Sequence, residues 1–128
     1  MKVLFLADIN SVHTRKWVRA LTERGIDICL LSLTDVESSW YQDIKGLEVV
    51  LTGVVKKNTH SQKSDILKLA YLKAFPQVAK AIKQYQPDIL HAHYATSYGL
   101  LGAMSGFHPF ILSVWGSDIF TFPRKSFL

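Results

Sequence analysis

Cysteine is nearly absent. Cys29 is the only one among 128 residues, so no disulfide can close within the chain, which agrees with a reducing compartment. Cys29 lies in an apolar run and reads as a core residue. Long hydrophobic runs are missing too: none approaches membrane-spanning length, and Met1 to Asp8 holds too short an apolar stretch for a signal sequence. A cytoplasmic protein is expected. No repeat, low-complexity tract or interdomain linker interrupts the chain, so a single domain over residues 1–128 is expected. Glycine is scarce where a nucleotide would want it. No G-x-G-x-x-G follows the first apolar run and no glycine occurs before Gly25, which argues against autonomous dinucleotide binding. Acidic residues are the minority charge, 10 against 15 basic, for a net charge of +5. That balance favours anionic partners such as nucleotide phosphates or acidic lipid head groups, although a solvated basic face needs none. Asp8 stands alone after the first apolar run, without the acidic cluster that a phosphorylated receiver aspartate needs for its metal, so a flavodoxin-like signalling domain is the weaker idea.

What is present is a strand-helix alternation. Val3 to Ala7 is a continuous apolar run closed by Asp8, as for a strand buried on both faces of a parallel sheet. Helical spacing of Trp17, Val18 and Leu21 follows, with Gly25 where a C-cap is expected. Ile26 to Leu33 reads as strand two and Leu47 to Leu51, bounded by Gly46 and Gly53, as strand three; Thr34 to Lys45 between them is polar and reads as irregular or as one helical turn. Asp65 to Tyr85 carries a helical apolar pattern that includes Leu69, Phe75, Val78 and Ile82, with Lys68, Lys73, Lys80 and Lys83 largely opposite. Pro76 inside it predicts a kink or a break into two helices. Strand four at Ile89 to Ala92, a small-residue helix at Ser97 to Ser105 and strand five at Ile111 to Trp115 complete the pattern. The expected fold is a doubly wound, Rossmann-like α/β domain of about five parallel strands in the order 3-2-1-4-5. The chain stops soon after a strand rather than after its covering helix, and reads as cut short.

Chemistry gathers where two apolar runs end: Pro87-Asp88-Ile89-Leu90-His91-Ala92-His93-Tyr94 and Phe110-Ile111-Leu112-Ser113-Val114-Trp115-Gly116-Ser117-Asp118. The carboxyl ends of parallel strands form the ligand-binding edge, so both runs point at one cleft. His91 and His93 alternate and share a face. No third ligand is supplied nearby, and metal is not expected. His93 is the nearer of the two to the carboxyl edge. Thr96 or Ser97 suits a helix N-cap, or with Tyr98 offers hydroxyls and an aromatic face to a ligand. Gly99, Gly102, Ala103 and Gly106 would let that helix pack closely on the sheet. Trp115 can stack on a ligand or pack in the core. Asp118 can orient or deprotonate a hydroxyl, or cap a turn. Asn10 or Ser11 suits the cap of the first helix, whose free amides, with His13 and Arg15, form a possible anion contact.

The order of these motifs, Asn10-Ser11-Val12-His13-Thr14-Arg15-Lys16-Trp17, Leu21-x-x-x-Gly25, Pro87-Asp88-Ile89-Leu90-His91-Ala92-His93 and Trp115-Gly116-Ser117-Asp118, resembles the N-terminal domain of family 4 glycosyltransferases with the GT-B architecture. The resemblance spans essentially the whole chain. It implies a retaining sugar transferase of two Rossmann-like halves, the N-terminal half receiving the acceptor and the C-terminal half, with its paired glutamates, holding the nucleotide sugar. That glutamate pair has no counterpart here. The chain is thus expected to be an acceptor-side domain, inactive alone, in a cell-surface polysaccharide or glycolipid pathway. Nucleotide sugar would be its substrate, with no cofactor, metal or nucleic acid involved. By the same resemblance Asn10, Ser11, His13 and Arg15 lie near the donor diphosphate. Thr96, Ser97, Tyr98, Trp115, Gly116 and Ser117 would face the acceptor, with Asp118 and His93 as catalytic candidates. Many relatives carry histidine where this chain has Trp115, which cannot take a proton. A lysine-rich helix face could lie against the inner face of an anionic membrane, for which large apolar groups beside the lysines would be needed. The alternative is a non-catalytic module that binds a small ligand or docks onto a separate donor-domain chain.

Overall fold

A computed structural model describes residues 1–55 and 64–115. Eight elements follow one another: β1 (Lys2–Leu6), α1 (Val12–Thr22), β2 (Asp27–Thr34), β3 (Leu47–Val55), α2 (Ser64–Tyr85), β4 (Ile89–His93), α3 (Tyr98–Ser105) and β5 (Phe110–Ser113). The strands form one sheet in the order β3-β2-β1-β4-β5, and every neighbouring pair is parallel. This is the expected Rossmann-like order.

Strand alternation divides the apolar side chains into two cores. Leu4, Leu6, Leu31, Leu33, Leu90 and Ala92 face α2 and α3, meeting Ala74, Val78, Tyr98 and Leu101. Val3, Phe5, Ala7, Ile28 and Leu30 face α1 and meet Val18. β1 and β2 are buried on both faces, which is why they read as unbroken apolar runs rather than alternating ones. The irregular segment after β2 also contributes: Val36, Trp40, Tyr41 and Ile44 pack on the α1-side core.

Several local expectations are corrected. α2 is one continuous helix, so of the kink or break expected at Pro76 the break into two helices does not occur. Ala74, Val78 and Ala81 lie on one helical face, on both sides of the proline, and all three are buried against the sheet, so packing outweighs the missing amide bond. The apolar pattern of α2 is not all core, for Leu69 and Leu72 are 59% and 48% exposed. β3 runs through Gly53 to Val55 instead of closing before the glycine. Between the pairs Ser32↔Leu51 and Thr34↔Val55, β3 advances four residues while β2 advances two, and Gly53 absorbs this bulge at φ +65°. β5 ends at Ser113, two residues short of Trp115. In α3, Gly99 and Gly102 make the close approach to the sheet, whereas Ala103 is exposed and Gly106 is the left-handed C-cap at φ +68°.

Candidate functional site

The strand ends on the α2 and α3 side border an open cavity of about 280 Å³, lined by Asp8, Thr34, Tyr71, Tyr94, Ser97 and Tyr98 together with apolar groups. Asp8 leaves the end of β1 beside the end of β2. Its Oδ1 accepts hydrogen bonds from the Asn10 amide at 2.9 Å and the Thr34 hydroxyl at 2.7 Å. Its other oxygen makes no hydrogen bond among the described residues. The Tyr98 ring is buried, and its hydroxyl accepts from the Leu33 amide at 3.1 Å, tying α3 to β2. Burial pushes the Tyr98 hydroxyl pKa well above its ordinary value. Burial raises the pKa of Tyr71 as well. Both phenols are therefore neutral donors and acceptors at pH 7.

Tyr94 turns the chain out of β4. Its amide still donates to Ser113 O at 3.0 Å, but its φ is +70°, and its carbonyl folds back to accept from the Gly99 amide at 2.8 Å. A Cβ on Gly99 would stand 2.5 Å from that carbonyl oxygen and 2.7 Å from Leu112, so only glycine fits. Ser97 occupies the N-cap position of α3 without a side-chain cap bond, and it lines the cavity. Thr96, in the preceding turn, is not among the lining residues.

The histidines lie on the opposite face of the sheet. His91 and His93 pack with Phe5 and with the edge of Trp17, ring centroids 4.5 to 6.1 Å apart. His91 Nε2 and Ser113 Oγ are 2.8 Å apart. His93 is 1% exposed, and its Nε2, like the buried Thr14 Oγ1, has no hydrogen-bond partner among the described residues. Burial lowers the pKa of both imidazoles to about 4, helped for His93 by His91 and His13. Both rings are neutral at pH 7. Trp115 closes this group, stacked on His13 at 4.1 Å and meeting the edge of His93 at 5.5 Å.

Around the start of α1, Ser11 is the N-cap and its Oγ accepts from the His13 amide at 3.3 Å. Asn10 instead clamps the loop after β2: its Nδ2 donates to Asp35 O at 2.8 Å and its Oδ1 accepts from the Glu37 amide at 2.9 Å. Arg15 lays its guanidinium over the Trp40 ring, 5.5 Å from the centroid. The structure therefore gathers His13, His93 and Trp115 on one side of the sheet and Ser97 and Tyr98 on the other. Gly116, Ser117 and Asp118 lie outside the described residues.

Asp8, Thr34, Tyr71 and Tyr94 were missed as site residues. Asp8 had a signal, since an acid directly after the first strand must reach the carboxyl edge. Tyr71 had none, because its place depends on how α2 lies over the sheet. A second cavity of about 350 Å³, near Cys29, Glu48 and Tyr85, lies toward the amino ends of the strands. There burial raises the Cys29 thiol to about 12, which leaves it without thiolate reactivity at neutral pH.

The C-terminal domain of a hydrogenase from Pyrococcus furiosus has the same fold, with a TM-score of 0.63 over 88% of this chain and 89% of that one, at 13% identity. That likeness concerns architecture alone. No curated protein matches the chain in sequence. Residues 2–128 match the family described as glycosyl transferase 4-like, and with that span the chain belongs to this glycosyltransferase family.

Proposed function

We propose that this chain is the acceptor-side domain of a retaining glycosyltransferase with the GT-B architecture. In this reading it helps move a sugar from a nucleotide-sugar donor to a saccharide or lipid-linked acceptor during surface polysaccharide or glycolipid synthesis. The observation that carries the reading is the polar cavity at the carboxyl edge of the sheet, in a chain of the glycosyltransferase family. Ser97 and Tyr98 contact the acceptor there, with Thr96 in the turn before them; Trp115 meets it from the other face of the sheet, and Gly116 and Ser117 are assigned to acceptor binding as well. Asn10, Ser11, His13 and Arg15, grouped at the start of α1, face the donor diphosphate brought by a second domain. His93 is neutral and almost fully buried, so it orients the cleft rather than exchanging protons at pH 7. Proton transfer falls to Asp118 or to the departing phosphate itself.

Membrane contact is part of the proposal. Leu69 and Leu72 stand exposed on α2 near the exposed Lys73, which supplies the apolar groups that an interfacial helix needs beside its cations. No helix among the described residues is long and apolar enough to cross a membrane.

Nuclear magnetic resonance titration of the chain tests the division of labour. Saccharide acceptors are expected to shift the signals of Ser97 and Tyr98, while uridine and guanosine diphosphate sugars bind weakly or not at all. Tight nucleotide-sugar binding by this chain would overturn it.

A further inference from the structure

We infer that the cavity beside Asp8 selects an uncharged hexopyranose, with the Tyr94 ring as its platform and the free oxygen of Asp8 as acceptor for a sugar hydroxyl. The inference rests on the acceptor reading above and names the class of sugar that the site admits.

Backbone cost points to Tyr94. A tyrosine at φ +70° occupies the left-handed region that glycine fills without strain, and a side chain there costs about 1–2 kcal/mol. The other described non-glycine residue at positive φ, Gln86, sits just past the end of α2 at φ +52°, where a left-handed residue is the ordinary way to stop a helix. Tyr94 has no such excuse. It lies at a strand end, its carbonyl is pinned by the Gly99 amide, and the residue lines the cavity. A strained residue kept at a ligand-facing position signals that its side chain is used. The flat apolar face of a pyranose, formed by its axial C–H groups, matches an aromatic ring, while its hydroxyls need fixed polar partners.

Those partners are present. Asp8 is held by two hydrogen bonds to one oxygen, which fixes the carboxylate and leaves the other oxygen available to an incoming donor. Ser97 also lines the cavity, and the Thr34 hydroxyl, whose proton goes to Asp8, can still accept. Among the described residues that line the cavity, Asp8 carries the only formal charge. A carboxylate at the wall accepts from sugar hydroxyls and repels a uronate or a sugar phosphate. The volume, about 280 Å³, is at the small end of ligand cavities and suits one ring rather than an extended chain.

The test is a binding titration of the chain, read by saturation transfer and chemical shift. Methyl hexopyranosides of gluco, galacto and manno configuration are compared with the methyl hexuronosides of the same configurations. At least one neutral glycoside is expected to bind at least about tenfold more tightly than its uronoside. In Asp8→Asn, whose amide oxygen can still accept from Thr34, that discrimination is expected to vanish. Tyr94→Gly is the decisive variant, because it relieves the backbone: its melting temperature should stay level or rise while glycoside affinity falls by about tenfold. Uronosides that bind as tightly as neutral glycosides, or a Tyr94→Gly chain that keeps its affinity, would overturn the inference and leave the acceptor reading standing. No binding by any glycoside would remove both.

Discussion

The two faces of the sheet end in different chemistry, although the same strands supply both. On the α1 side, His91, His93, Phe5, Trp17 and Trp115 form a packed group of neutral rings. On the α2 and α3 side, the strand ends turn polar and leave a cavity around a fixed carboxylate. Neighbouring residues on a strand are enough to separate them, for His93 belongs to the first region and Tyr94, one position on, to the second. Residues with obvious chemical potential can therefore pack as a ring cluster, while less conspicuous ones line the cavity. A buried imidazole lowered to about 4 is a poor acid at neutral pH, whereas a carboxylate with one oxygen tied and one open is a ready hydrogen-bond acceptor.

Acidification should break the comparison most strongly. The imidazoles of His91 and His93 have pKa values near 4 in the folded chain and near 6.5 when unfolded. Between those values the unfolded chain binds the extra protons, so their contribution is complete above about pH 6.5 and is lost as the pH falls toward 4. The slope is roughly 1.4 kcal/mol per pH unit for each ring. Urea unfolding at successive pH values should show this fall, and His93→Phe, which keeps a ring against Phe5 and Trp17, should remove about half of it. A slope unaltered in that variant would place the acid sensitivity elsewhere.

The cavity side is sharpened by its glycine. Gly99→Ala brings a methyl against the Tyr94 carbonyl, a backbone atom that cannot swing away, and should cost about 3 kcal/mol. Gly102→Ala presses first on the Phe110 ring, a side chain that can shift, and should cost less. Both losses should be equal at pH 7 and pH 5, because neither glycine touches the imidazole group. Denaturant midpoints at the two pH values measure this.

The sheet order was legible because apolar runs and helical spacing repeat cleanly along the chain. The parallel crossovers then leave few topologies. What stayed hidden depended on contacts between distant segments. Pro76 looks like a break until Ala74, Val78 and Ala81 are seen anchoring the helix on either side of it. Gly53 looks like a strand end, yet it serves as a bulge inside β3. At the site, Ser97 and Tyr98 could be read from the turn after β4. Their separation from His93 could not, since it follows from which way each side chain leaves the strand and how α3 turns back. Asp8 acquires its role only beside Thr34, twenty-six residues away, with which it shares a hydrogen bond.

The smallest expected effect tests what joins the cavity to the core. Tyr98 contributes a buried ring and one hydroxyl, and that hydroxyl receives the Leu33 amide at the end of β2. Tyr98→Phe keeps the ring and strands a buried donor, which should cost about 2 kcal/mol. Because the ring remains in place, Asp8 and Tyr94 should hold their positions and glycoside affinity should change by less than about threefold, the effect of one modest hydrogen bond. Calorimetric melting and the sugar titration give the two numbers separately. A stability loss with affinity retained makes Tyr98 a tie between α3 and β2, and a loss of affinity with stability retained makes its hydroxyl a direct contact of the sugar.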